Sequence, residues 1–214
     1  MEGYFIVTND NSMNEMNKQI KNAFEFMQKL YNESSYLIKE IEGLLAECEF
    51  RFQILKTSGY SISTRSSTGL EPNNVNLWLL RKFAVAFVED SNTELIKGQN
   101  KTAITNNLKV LYFRIILDEN NLSEPNLLFG VLYDIEKCKD WIKKFENILG
   151  HIEYNDMKIF STLPIFNYQD STIKMKGELY SINLLDIKSS DELHEKVIEP
   201  VLELYKRKIL ENDI

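Results

Sequence analysis

KVLYFRIILDENNLSEPNLLFGVLYDIEK, residues 109–137, is the stretch on which the fold turns. Two runs rich in β-branched and aromatic residues flank a polar segment with turn-forming Asn, Ser and Pro, the pattern of an antiparallel hairpin. In the first run Leu111, Phe113, Ile115 and Leu117 fall on one face, and Val110, Tyr112, Arg114 and Ile116 on the other. Apart from Arg114 both sets are apolar, so both faces are expected to be partly covered.

Downstream, Cys138, Trp141, Ile142, Phe145, Ile148 and Leu149 follow helical spacing, with Gly150 where a C-terminal cap would sit. A helix crossing the sheet is expected there. KIFSTLPIF (158–166) and IKMKGELYSINLLDI (173–187) read as two further strands around a polar turn NYQD (167–170). Pro164 marks the first of them as an edge or irregular strand. Ser189 and Glu192 have the spacing of a capping box opening a last helix to about Leu210. Pro200 predicts a kink in it or a division into two short helices.

Upstream, NLWLLRKFAVAFVED (76–90) reads as a strand, with Phe83, Val85 and Phe87 on one face. Ala84 and Ala86 lie on the other, where small side chains would admit a helix or a ligand closely. Tyr60 to Arg65 is a shorter strand candidate, the segment from Ser66 to Asn74 a loop, and Asp90 to Asn107 a polar connection.

From Ser12 to about Leu55 the apolar spacing changes to three and four. A seven-residue register places Met13, Ile20, Met27, Ser34, Ile41, Cys48 and Leu55 at one position and Met16, Ala23, Leu30, Leu37, Leu44 and Arg51 at another. The next position adds Phe24, Tyr31, Ile38, Leu45 and Phe52, widening the stripe toward a core-packing face. An unbroken helix would reach on the order of 60 Å. So long a helix is expected to protrude, pair or break, and the expected place of a break is Asn32-Glu33-Ser34-Ser35, where poor helix formers cluster.

The reading is an α+β protein: a long N-terminal helix or helical hairpin, then a mainly antiparallel sheet with two further helical segments. Residues 1–57 form the helical arm, packed on an α+β body of residues 58–214, as one folding unit. The 214-residue chain is 43% hydrophobic and 27% charged, ordinary for a globular protein. Its net charge of −7 disfavours nucleic acid and anionic membranes as partners. Cys48 and Cys138 are too few for a disulfide framework and match no metal spacing, and both sit on apolar helical stripes as packing residues. No run approaches the roughly 20 apolar residues needed to span a bilayer, and the N-terminus lacks the features of a secretory signal. A cytoplasmic location is the expectation.

Marks of common chemistry are missing: no glycine-rich phosphate loop, nucleophile elbow or paired-cysteine zinc motif occurs. His151 and His194 read as ordinary surface or satisfied histidines. Acidic residues at expected strand ends, Asp118, Glu119, Asp134 and Glu136, precede Glu178 and the triplet Asp186-Ile187-Lys188. Converging on a divalent cation, Asp134, Glu178 and Asp186 with Lys188 nearby could activate water for phosphodiester cleavage. This Asp…Asp/Glu-x-Lys order loosely resembles that of restriction-type nucleases, which would imply a metal-dependent phosphodiesterase or nuclease. Arg65, Arg81, Lys82 and Arg114 would bind an anion if gathered, with Trp78, Tyr112 and Tyr133 as stacking surfaces. Arg114 stands out as a ligand-binding candidate because it interrupts an apolar strand.

The preferred reading is a non-catalytic regulatory or protein-interaction module without cofactor or bound metal, carrying a possible ligand-binding sheet face. Its partner is another protein or a second copy of itself, engaged through Met27, Leu30, Leu37, Ile41 and Leu44 of the arm. The nuclease is the alternative.

Overall fold

The computed structural model describes residues 10–55, 63–64, 80–89, 108–118, 123–138, 145–155, 159–160 and 163–210. The chain divides into two compact units between Lys39 and Glu40. Helix α1 (Asp10–Glu47) is continuous, so the break expected at Asn32–Ser35 does not occur. The Ser34 hydroxyl donates to the Leu30 carbonyl at 2.8 Å, which satisfies a buried polar group inside the helix instead of ending it. The helix stops where Arg51 adopts a left-handed φ of 48° and its N–H donates to the Cys48 carbonyl at 3.1 Å.

In the larger unit an antiparallel sheet is built from β1 (Phe52–Ile54), β2 (Ser63–Thr64), β3 (Lys82–Glu89), β4 (Val110–Ile116), β5 (Asn126–Lys137), β6 (Ile165–Gln169) and β7 (Ile173–Asn183). Their order is β1-β3-β4-β5-β7-β6, with β2 also paired to β3. The hairpin expected from residues 109–137 is β4–β5, in register from Val110 opposite Leu132 to Ile116 opposite Asn126. The sheet begins at Phe52, inside the stretch assigned to the arm from sequence.

Alternation along β3 and β4 sorts the core into two layers. One contains Ala84, Ala86, Val110, Tyr112, Leu128, Leu132, Met175 and Leu179 with Ile148, Leu149 and Ile152 of α2 (Phe145–Tyr154). The space above the two alanines is thus taken by a helix. On the opposite face Phe83, Val85 and Phe87 stand in register with Ile115, Phe113 and Leu111. The C-terminal helix covers that face: the Tyr205 ring lies edge-on to Phe52, with centroids 4.9 Å apart, and its hydroxyl donates to Glu89 at 2.9 Å.

Three local expectations change. Gly150 lies inside α2, which runs on to Tyr154, because the apolar spacing continues through Ile152 and outweighs the glycine's modest cost. Asn155 closes the helix instead, its N–H and side-chain amide both donating to the His151 carbonyl. The segment NYQD is not a turn: Asn167 and Gln169 are the outward residues of β6, and Phe166 and Tyr168 point into the core cluster. The turn falls at Asp170, whose carboxylate accepts the N–H groups of Thr172 and Ile173 at 2.6 and 2.9 Å. Ile159 and Phe160 are a helical turn and not part of that strand.

Other expectations hold. Strand β6 is at the edge of the described sheet, as Pro164 suggested. Ser189 caps α3 (Ser190–Leu193), accepting from the Glu192 N–H at 3.2 Å while the Glu192 carboxylate accepts the Lys188 N–H at 3.0 Å. The helix then widens into a π-helical turn (His194–Ile198) before α4 (Glu199–Leu210). The wider turn lies just ahead of Pro200, which has no N–H to donate into a regular ladder. In β5 the register slips between Tyr133 and Glu136, and Asp134 takes a φ of 51°. This extra residue is a bulge that returns Ile135 to the same core layer as Leu132. The strand candidate at Tyr60–Arg65 contains β2, whereas the loop from Ser66 to Asn74, the connection from Asp90 to Asn107, Trp78, Trp141 and Ile142 lie outside the described residues.

Two glycines give opposite expectations. A Cβ on Gly177 would overlap the Phe166 ring, while one on Gly150 has no atom within 4 Å. Gly177→Ala should cost about 1–3 kcal/mol, and Gly150→Ala should stabilise by about 0.5–1 kcal/mol. Urea unfolding of both variants measures this, and Phe166→Leu should recover part of the Gly177→Ala loss.

Candidate functional site

The carboxylates of the nuclease alternative each have their own partners. Asp134, on the β5 bulge, pairs with Lys176 at 2.8 Å. Glu178, on β7, is 6% exposed and held by Arg207 at 2.6 Å, Lys208 at 3.3 Å and the Tyr180 hydroxyl at 2.5 Å. Asp186 ends a short 3-10 turn (Leu184–Asp186) and is exposed, its carbonyl accepting from the Lys196 ammonium. Lys188 is exposed and precedes the helix cap. Among the described residues no three His, Cys, Asp or Glu side chains gather to hold a metal ion. Of the other strand-end acids, Asp118 pairs with Arg81 at 3.3 Å and Glu136 with Lys174 at 3.1 Å, while Glu119 lies outside the described residues.

Of the described basic and aromatic candidates, Lys82 and Arg114 lie on adjacent paired strands β3 and β4. Arg114 is 2% exposed, with its guanidinium carbon 5.4 Å from the Phe160 ring centre, so the sheet buries it as a cation–π packing element. Tyr112 is fully buried beside Phe160 and offers no stacking surface. Tyr133 carries the Lys208 ammonium 5.1 Å from its ring centre. Arg65 and Trp78 lie outside the described residues. Cys138 is exposed, not buried as its place on an apolar stripe suggested, because it follows β5 in the turn where its N–H donates to the Thr172 carbonyl.

Two polar clusters were not read from sequence. In the first, burial pushes the Glu178 carboxyl up, but the Tyr180 hydroxyl, Lys208 and Arg207 outweigh it and hold the pKa below the usual range. A carboxylate engaged by two cations and a hydroxyl clasps β7 to α4. Beside it, Tyr180, Pro200, Glu203, Leu204 and Arg207 line an open depression of about 340 Å³. In the second cluster, Asp170 accepts from Tyr168 at 2.8 Å and meets His151 Nε2 at 2.7 Å, with Asn155 3.3 Å from the same nitrogen. Burial raises the Asp170 carboxyl, yet the Ile173 and Thr172 N–H groups, Tyr168 and His151 lower it to about 2. Burial and the adjacent Asp170 carboxylate push the Tyr168 phenol up to about 12. The cluster ties the β6–β7 turn to α2. Spacing along the chain did not reveal either group, because their members meet only across paired strands and packed helices.

The remaining candidates lie on α1. Ile41 is fully buried, and Met27, Leu30, Leu37 and Leu44 are half-buried. Nearer the N-terminus the same stripe is open: Met13 is 39%, Met16 43%, Ile20 48% and Phe24 74% exposed. No described helix is long and apolar enough to cross a membrane.

The clasp and the turn make separable predictions. Glu178→Ala should lower stability by about 3 kcal/mol at neutral pH, because Lys208, 11% exposed, loses its counter-charge. For Asp170 the folded pKa of about 2 lies below the ordinary carboxyl value of 3.8, so its contribution is present above the latter and fades as pH falls toward the former. Its carboxylate is 29% exposed, so Asp170→Asn should cost about 1 kcal/mol at pH 6. The gap from wild type in urea unfolding should narrow as pH drops through that window.

Comparison with protein-family models, with curated proteins and with solved structures finds no match to this chain. The functional reading therefore rests on the chain's own residues.

Proposed function

We propose that this chain is a non-catalytic regulatory or interaction protein whose contact element is α1. One observation carries the reading: Met13, Met16, Ile20 and Phe24 recur at helical spacing on a single stripe and are all exposed. A helix of this composition does not stand on propensity. Residues 10–36 include Asn11, Asn14, Asn17, Asn22, Asn32, Ser12, Ser34 and Ser35, all weak helix formers. Helices in proteins are sustained mainly by packing an apolar face, so this one calls for something to pack against. The body fits a supporting role. Its described buried charges Glu178 and Arg114 are engaged by other side chains, and its two sheet faces are covered by helices.

A photo-reactive phenylalanine analogue tests this when placed at Ile20 and, as a control, at Lys18 on the far side of the helix. Irradiation in the chain's own cells should yield a discrete protein adduct from position 20 and little from position 18. No adduct from position 20, or equal capture from both, would defeat the proposal.

A further inference from the structure

Resting on that reading of α1, we infer that the partner of its exposed stripe is the same helix of a second copy of this chain. The placement of charge carries the inference. Between residues 13 and 31, one register has Met13, Ile20 and Met27 at its first position and Met16, Ala23 and Leu30 at its fourth. The flanking fifth and seventh positions hold Asn17, Gln19, Phe24, Phe26 and Tyr31. Every charged side chain of the segment, Glu15, Lys18, Lys21, Glu25 and Lys29, falls on the three outer positions. Lys21 and Glu25 pair there at 3.7 Å, both well exposed.

Paired helices that choose a different partner do so with charges at the flanking positions, which attract the right sequence and repel their own. This segment has no charge at those positions. Nothing repels an identical helix, and nothing selects for one of opposite sign. The outer face carries lysines and glutamates together, unlike the lysine-rich polar face of a helix that lies on an anionic bilayer. Phe24 is 74% and Phe26 64% exposed, and together they broaden the apolar strip on both sides of the small Ala23. A second copy brings a matching strip of Met, Ile, Leu and Phe side chains, so the contact is isologous, as in most soluble homodimers.

Sedimentation velocity of the purified full chain across the micromolar range, with circular dichroism of each sample, is the test. The wild type should sediment as a dimer or larger closed assembly. Ile20→Glu with Phe24→Glu should weaken association by about a hundredfold or more. The thermal transition of the body should persist in that variant, and Lys18→Glu should associate like wild type. If the double glutamate variant fails to fold, Ile20→Gln with Phe24→Gln replaces it and should also shift toward monomer. A wild type that stays monomeric overturns the inference, as does association untouched by either pair of substitutions. A monomer that binds anionic phosphatidylserine vesicles through the stripe would overturn it in favour of a membrane. A monomeric wild type whose position-20 adduct in cells is a different protein would sink self-pairing yet leave α1 as the contact element.

Discussion

Everything in the larger unit depends on burying β4 on both of its faces. All residues of this strand, Val110 to Ile116, are buried. An antiparallel sheet often leaves one face to water, but here that would expose either Leu111, Phe113 and Ile115 or Val110, Tyr112 and Ile116. Each fully buried side chain of this size contributes about 1.5–3 kcal/mol. Two covers are therefore needed, and the chain supplies α2 on one side and the C-terminal helix on the other.

Each cover is oriented by a polar group set into an otherwise apolar contact. On the α2 side, His151 reaches the Asp170 carboxylate that also organises the β6–β7 turn. On the α4 side, Glu178 takes Arg207 and Lys208, and Tyr205 reaches Glu89. Apolar burial is nondirectional and would tolerate a slipped helix; a carboxylate with several fixed donors would not. These clusters include two strongly shifted ionisable groups, Asp170 and Tyr168, and their partners are other parts of the same body. Shifted pKa values accompany catalytic sites, but structural networks produce them as well. Asp170 and Glu178 are each engaged by several donors from their own chain.

The arm differs in kind. Its apolar residues follow one helical stripe from Met13 onward; at Ile41 and Leu45 that stripe is fully buried, while from Met13 to Phe24 it is open. The repeat is the same throughout, so the difference lies in what covers it. That contrast sets α1 apart from the sheet.

How much of this was legible in the chain follows from the range of the forces involved. Periodicity of two exposed the β4–β5 hairpin and β7, and periodicity of three to four exposed α1 and the last helix, because side-chain direction repeats locally. Ser189 and Glu192 revealed a cap for the same reason: the hydrogen bonds span only a few residues. Gly150 and NYQD misled because a local cap or turn signal competed with packing against distant strands, and the packing of Ile152, Phe166 and Tyr168 prevailed. The Asp134 bulge, the Glu178 clasp and the joining of His151 to Asp170 had no signature along the chain. Asp134, Glu178 and Asp186 looked equivalent as strand-end acids; only the tertiary structure separated them, through which cation or hydroxyl each met. The sequence by itself determined the strand and helix periods and the apolar face of α1, since these depend on neighbours within two turns. Which charges meet, which alanines lie under a helix and where the arm's stripe passes from open to buried were decided by tertiary structure, because those contacts join residues far apart in the chain.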